Sequence, residues 1–120
     1  MPIPILVVDD EPNFLELMTG VLGKRGFDVN TASNGVEALK LMEKELFDFA
    51  LVDIRLGGAS GLCLLEEIKK RQPRIRGIIV TAYPEDVTRA QAFDKGASAY
   101  LAKPLDLQDL LHTFTSVLSH

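Results

Sequence analysis

The stretch Phe49-Ala50-Leu51-Val52-Asp53-Ile54-Arg55-Leu56-Gly57-Gly58 constrains this chain more than any other. Four mostly apolar residues run into a lone carboxylate, and a glycine pair follows. A short apolar run closed by a turn signal reads as a strand buried on both faces. Asp53 then stands where a buried strand ends and a loop opens. Ile5-Leu6-Val7-Val8-Asp9-Asp10-Glu11-Pro12 repeats the same order of parts. If the two strands are parallel neighbours, Asp9, Asp10 and Asp53 meet at one edge of the sheet. Close carboxylates repel, and their pKa values rise unless a cation neutralises them. The pattern predicts a site for a hard, oxygen-preferring divalent ion such as Mg²⁺.

The remaining chain alternates between strand and helix signals. Ile3 to Val8 is the first strand. Pro12 opens a helix carrying Phe14, Leu17, Met18, Val21 and Leu22 at helical spacing, and Gly26 ends it. Phe27 to Ala32 alternates as a second strand. Asn34-Gly35 is a turn or cap signal, and Val36, Leu39 and Met42 mark a second helix running to about Glu45. The strand ending at Asp53 is the third. After a loop from Gly57 to Gly61, Leu62, Leu65 and Ile68 share one face of a third helix. Lys69, Lys70 and Arg71 suit its negative end as a solvated last turn, and Pro73 stops it. Gly77 to Val80 is a fourth buried strand, closed by Thr81. Pro84-Glu85-Asp86 opens a fourth helix with a thin apolar face of Val87, Ala90 and Phe93, so this helix should be the least firmly held. Gly96 ends it, and Ala97 to Leu101 is a short fifth strand leading to Lys103-Pro104. Asp106 reads as an N-cap, with Leu105 and Leu110 as a hydrophobic staple. Leu107, Leu110, Leu111, Phe114, Val117 and Leu118 complete a fifth helix.

Five strands alternating with five helices give an α/β fold: a doubly wound five-stranded parallel sheet with right-handed crossovers. The natural order for five strands is 2-1-3-4-5, the flavodoxin-like arrangement, with ligands bound where the order reverses between strands one and three. Asp9, Asp10 and Asp53 lie there, with Thr81 and Lys103 at the ends of strands four and five. At 120 residues, 47% hydrophobic and 25% charged, the chain fits one domain over residues 1–120. Its formal charge of −4 argues against binding nucleic acid or a membrane surface directly. Cys63 is the sole cysteine, so no internal disulfide forms and a reducing compartment is expected; its place in an apolar helical pattern reads as packing. Met1-Pro2-Ile3-Pro4 shows neither a signal peptide nor a membrane span, which makes the cytoplasm the default location.

The converging groups suit phosphoryl transfer, which needs charge neutralised on the equatorial oxygens and a nucleophile held in line. A carboxylate can serve as that nucleophile and form a labile acyl phosphate. Lys103 supplies a compact cation and Thr81 a hydroxyl donor. Asp9 and Asp10 alone would equally read as solvated acids ahead of a helix; beside Asp53 and Lys103 they read as ligands.

With Asp9-Asp10 after strand one, Asp53 after strand three, Thr81-Ala82 after strand four, Lys103-Pro104 after strand five, and Gly96-Ala97 with Tyr100-Leu101, the chain resembles a receiver (response-regulator) domain of two-component signalling over essentially its whole length. The resemblance implies that Asp53 is the phosphoacceptor and that Asp10 and Asp53 bind Mg²⁺, with Asp9 binding directly or through water and the Arg55 backbone carbonyl completing the protein ligands. It implies a cis Lys103–Pro104 peptide. It implies a switch in which Thr81 moves to the phosphoryl group and Tyr100 rotates inward, changing the face formed by helix four, strand five and helix five. The phosphodonor would be a histidine kinase or histidine phosphotransfer protein, docking near helix one and the loops around Asp53. An output domain or downstream protein would read the state, and a homodimer through the helix 4/strand 5/helix 5 face is allowed. Such a domain is no enzyme beyond its own phosphorylation and dephosphorylation.

Some positions depart from the commonest family pattern. Gly57 stands where many members carry proline, and Gly58 follows, so a mobile loop is expected. Arg55, two residues past the phosphoacceptor, is expected to alter the lifetime of the phosphorylated state, and Tyr83 to limit access to it. His112 reads as a packing or surface residue and His120 as a loose terminus. Two other readings fit less well, and a third stands beside the switch. An aspartyl-phosphate phosphohydrolase wants two acids spaced by one residue after strand one and a cap domain. A flavin-binding module wants a hydroxyl- and glycine-rich phosphate loop where this chain is acidic. A receiver-like interaction module working without phosphorylation is separated from the phosphorylated switch only by experiment.

Overall fold

Residues 2–118 of the 120 are described by the computed structural model of the protein. In chain order the strands are β1 (Ile3–Val8), β2 (Phe27–Ala32), β3 (Phe49–Asp53), β4 (Arg55–Leu56), β5 (Ala59–Ser60), β6 (Arg76–Thr81) and β7 (Ala97–Ala102). The helices are α1 (Pro12–Gly23), α2 (Gly35–Met42), α3 (Gly61–Arg71), α4 (Arg89–Asp94) and α5 (Leu107–Leu118). The five longer strands form one parallel sheet in the order β2-β1-β3-β6-β7. Counted among themselves, that is the predicted 2-1-3-4-5.

The central strands β1, β3 and β6 are buried on both faces because they are apolar at odd and even positions alike, whereas the edge strands β2 and β7 are only partly buried. Ile5, Val7, Phe49, Leu51, Ile78 and Val80 point one way, onto Phe14, Met18 and Leu22 of α1 and Leu110, Phe114 and Val117 of α5. Leu6, Val8, Ala50, Val52 and Ile79 point the other way, onto Ala38 and Met42 of α2, Leu65 and Ile68 of α3, and Ala92 of α4. Side chains alternate along a strand, so each parallel strand serves both layers. Gly77 lets α3 approach: a Cβ there would overlap the Leu65 side chain.

Several local expectations need correcting. The glycine pair forms a hairpin turn, not an irregular loop. Gly57 and Gly58 have φ of 57° and 94°, and they join β4 to β5 as an antiparallel two-residue hairpin. Turns with positive φ at both central residues match the twist of the flanking strands, so Gly-Gly is what a tight hairpin requires. Helix α4 starts at Arg89, not at Pro84. Thr88 caps it: its hydroxyl accepts from Gln91 N–H while the Gln91 side chain accepts from Thr88 N–H. That capping box places the start five residues later than Pro84 suggested. Its buried residue is Ala92, whereas Ala90 and Phe93 are exposed. Helix α2 ends at Met42, with a turn beyond it. Cys63 is exposed, because the buried stripe of α3 runs through Gly61, Leu64, Leu65 and Ile68 and passes it by. Leu17, Val36 and Leu118 likewise face solvent at the edges of their helical stripes. His112 is exposed, and His120 lies outside the described residues.

Candidate functional site

Strand register builds the site. Val8 lies beside Val52, so Asp9 and Asp53 follow side by side at the carboxyl ends of β1 and β3. Asp53 in turn lies beside Val80, next to Thr81, and Thr81 beside Ala102, next to Lys103. The chain after β1 is held by Asp9 N–H donating to Ala32 O at 3.1 Å, and the chain after β7 by Lys103 N–H donating to Thr81 O at 2.7 Å. The Lys103–Pro104 peptide is cis. Gly61 closes the floor behind Asp53: a Cβ there would overlap the Asp53 carbonyl oxygen, and Gly61 N–H donates to Ile54 O at 2.7 Å.

Asp9, Asp10 and Asp53 each bring a carboxylate oxygen within 4.8 Å of the other two. Asp9 and Asp53 are buried and Asp10 is exposed. Lys103 Nζ donates to Asp9 Oδ2 at 2.6 Å and to Asp53 Oδ2 at 3.4 Å. It also lies 4.1 Å from the centre of the Phe14 ring, an aromatic floor for the ammonium. Burial pushes the Asp53 carboxyl above its usual range; Lys103 opposes this and Asp9 adds to it. For Lys103 burial pulls downward, but the hydrogen bond and charge of Asp9, with the charge of Asp53, outweigh it and raise the ammonium. Three carboxylates facing one ammonium leave a surplus of negative charge, and every donor in the cluster is oxygen. That set fits a hard divalent cation.

Thr81 is fully buried, and its Oγ1 accepts from Tyr83 N–H at 2.9 Å. Tyr100 already points inward, 8% exposed, where inward rotation had been expected to follow activation. Its hydroxyl donates to Val87 O at 2.6 Å and to Pro84 O at 3.1 Å, which fixes the β6–α4 loop. Arg55 N–H donates to Asp53 Oδ1 at 3.3 Å, while its side chain turns away. Arg55 Nε donates to Asp86 Oδ2 at 2.6 Å, and the guanidinium stacks 3.5 Å from the Tyr83 ring centre. The hydrogen bond raises Arg55 and lowers Asp86 from their usual values. Asp86 and Phe14 were missed as site neighbours. Asp86 sat inside an expected helix start, and Phe14 was only the first residue of an apolar stripe; no local signal marked either.

Residues 5–115 match the family model of the response regulator receiver domain. The chain is 37% identical over 118 residues to the transcriptional regulatory protein ZraR of Escherichia coli (strain K12), covering 98% of this chain and 27% of that one. It thus spans about a quarter of the length of such curated relatives. A response regulator protein from Burkholderia pseudomallei, crystallised with a phosphorylated aspartic acid, calcium ion and citrate, superposes with a TM-score of 0.87 at 39% identity, over 92% of this chain and 65% of that one. A CheY-like receiver domain protein from Methanospirillum hungatei JF-1 superposes with a TM-score of 0.91 at 34% identity, over 99% and 95% of the two chains. Fold, strand-end chemistry and these likenesses agree: the chain belongs to the response regulator receiver domains, the phosphorylation-dependent switches of two-component signalling.

Proposed function

We propose that Asp53 accepts a phosphoryl group from a histidine kinase or histidine phosphotransfer protein. The observation that carries this reading is the convergence of the Asp9, Asp10 and Asp53 oxygens within 4.8 Å, with Lys103 Nζ 3.4 Å from Asp53 Oδ2. An Asp53 carboxylate oxygen attacks phosphorus, the P–N bond to the donor histidine breaks, and the electron pair stays with the imidazole. Lys103 moves its ammonium from the carboxylates to a phosphoryl oxygen as charge accumulates there. Asp9, Asp10 and Asp53, with the Arg55 carbonyl, would hold a divalent ion such as Mg²⁺, which would supply charge neutralisation on the phosphoryl oxygens. Thr81 exchanges Tyr83 N–H for the phosphoryl group, as donor instead of acceptor. Tyr100 transmits the change through its bonds to Pro84 and Val87.

A groove of about 600 Å³ runs from Lys103 between α1 and the start of α5, lined by Phe14, Leu17, Met18 and Leu107 among others. It supports phosphodonor docking along α1. Output passes through the α4, β7 and α5 face to an attached domain, a downstream protein or a second copy. No described helix is long and apolar enough to cross a membrane, and the cytoplasm suits a kinase-fed switch.

Incubation with Mg²⁺ and acetyl phosphate, followed by intact mass, tests the reading. A Mg²⁺-dependent, hydrolysable gain of one phosphoryl group, lost in Asp53→Asn, is expected. Failure to gain phosphate together with failure to bind beryllofluoride would overturn it in favour of a phosphorylation-independent interaction module.

A further inference from the structure

Arg55 is tied in two directions. Its main chain reaches the phosphoacceptor, with N–H donating to Asp53 Oδ1 at 3.3 Å. Its side chain reaches the β6–α4 loop, bonding Asp86 Oδ2 at 2.6 Å and stacking on Tyr83. The same loop has two further tethers. Tyr83 N–H donates to Thr81 Oγ1 at 2.9 Å, and the Tyr100 hydroxyl donates to Pro84 O and Val87 O. Of the three, the bond to Asp86 is the ionic one, and a new charge on Asp53 can draw its cation away.

We propose that Asp86 is a positioning residue of the phosphorylation site: it parks the Arg55 guanidinium on the β6–α4 loop, and a phosphoryl group on Asp53 competes for it. The inference rests on Asp53 being the phosphoacceptor. An aspartyl phosphate carries nearly two negative charges where the carboxylate carried one, and it brings three strong acceptor oxygens two residues from Arg55. A planar guanidinium matches phosphate with paired hydrogen bonds, whereas Asp86 receives one, from Nε. The existing pair is 52% and 30% exposed at its two side chains, and exposed ion pairs hold weakly, so it yields to a better partner. Tyr83 keeps the guanidinium close during the exchange through its ring face. A ligand shifts a conformational equilibrium only by binding the two states differently, and here the difference is the ownership of one cation. When Arg55 leaves, Asp86 loses its counter-charge, and what still ties residues 83–88 to the strands is their Tyr100 and Thr81 bonds and the packing of Val87. Because Thr81 is itself drawn to the phosphoryl group, the loop ahead of α4 loosens from two sides at once.

Coupling is reciprocal, so weakening the hold of Asp86 must strengthen binding of a phosphoryl analogue through Arg55. The full chain is titrated with beryllofluoride in Mg²⁺, followed by tyrosine fluorescence, which reports Tyr83 and Tyr100 in a protein without tryptophan. Asp86→Asn should bind about twofold to fivefold tighter, the range set by an exposed ion pair. Asp86→Glu should return to the wild-type value. Arg55→Ala should bind more weakly than wild type, and adding Asp86→Asn to it should change nothing. In parallel, hydrogen exchange of residues 83–88 should quicken when wild type binds beryllofluoride, and should already be fast in ligand-free Asp86→Asn. A merely structural Asp86 would loosen the loop without that Arg55-dependent gain in affinity. Equal affinity of wild type and Asp86→Asn, or the same gain in the Arg55→Ala background, would overturn the inference alone. A wild type that binds no beryllofluoride would overturn the phosphoacceptor reading, and the inference with it.

Discussion

The strands that present the acids and the helix that follows Thr81 differ in how firmly they are held. Residues 5–8 of β1 and all of β3 are buried, and both strands have sheet neighbours on each side. Helix α4 has six residues, buries Ala92, and leaves Phe93 41% exposed. Its approach is held by side-chain bonds from Tyr100, Arg55 and Thr81 and by the half-buried Val87 alone in packing against the core. Carboxylates that must share a cation and an in-line phosphoryl group need fixed separations, which buried strand ends supply. A segment that must report the chemistry needs a low cost of rearrangement, which a short, thinly packed helix supplies. The two halves meet at Thr81 and Arg55, the residues that touch both.

This contrast can be broken by mutation. The largest effect should come from the stiff half. Leu65 is fully buried between α3 and β6, and Leu65→Ala should cost about 2–5 kcal/mol in urea unfolding. Gly61→Ala should cost about 1–3 kcal/mol, because the added methyl meets the Asp53 backbone, which cannot swing aside as a side chain can. Gly61→Ala should also impair phosphorylation by displacing Asp53, which the acetyl phosphate assay reads directly. If Gly61→Ala were neutral in both, the stiffness of the β3 end would be an illusion of the packing.

The same contrast decides what could be read from the sequence. Sheet order and the five strand-end groups were legible because apolar runs of fixed length set both burial and where each polar residue emerges. Val8 beside Val52 is enough to bring Asp9 to Asp53. The β6–α4 segment was less legible, because its ties to the rest of the fold are side-chain bonds between distant residues. The Thr88–Gln91 capping box that starts α4 is a local signal that Pro84 overrode in the reading, whereas nothing local pairs Arg55 with Asp86, 31 positions apart. Gly57-Gly58 was read as looseness because glycine permits both a loose loop and a two-residue hairpin, and only the strand partners Arg55↔Ser60 and Leu56↔Ala59 select the hairpin. Cys63 was misplaced because one residue along a helix turns a side chain by roughly 100° and moves it off the buried stripe.

A substitution of opposite sign sharpens the comparison. Asp10 has no hydrogen-bonded or ionic partner among the described residues, yet its carboxylate lies within 4.8 Å of two others. Asp10→Asn should therefore stabilise the protein by about 1 kcal/mol in EDTA, a water-screened charge pair at close range. It should also lose most of the stabilisation that Mg²⁺ gives wild type. Thermal melts with and without Mg²⁺ check both halves. An unchanged Mg²⁺ response would remove Asp10 from the metal ligands.

The smallest effects should lie in α4, and their distribution matters more than their size. Thr88→Ala removes the hydroxyl half of the capping box and should cost roughly 1 kcal/mol locally. If α4 opens without the sheet, hydrogen exchange should quicken over residues 89–94 while the global unfolding midpoint barely moves. Phe93→Ala removes an exposed ring and should leave global stability within about 0.5 kcal/mol. A loss comparable to Leu65→Ala would mean that α4 is tied into the core after all, and the division between a stiff chemical edge and a compliant reporting edge would fall. Fast local exchange in Thr88→Ala with an unchanged midpoint would instead place α4 at the low-stability end of the fold, where an event at Asp53 can move it without disturbing the strands that carry the chemistry.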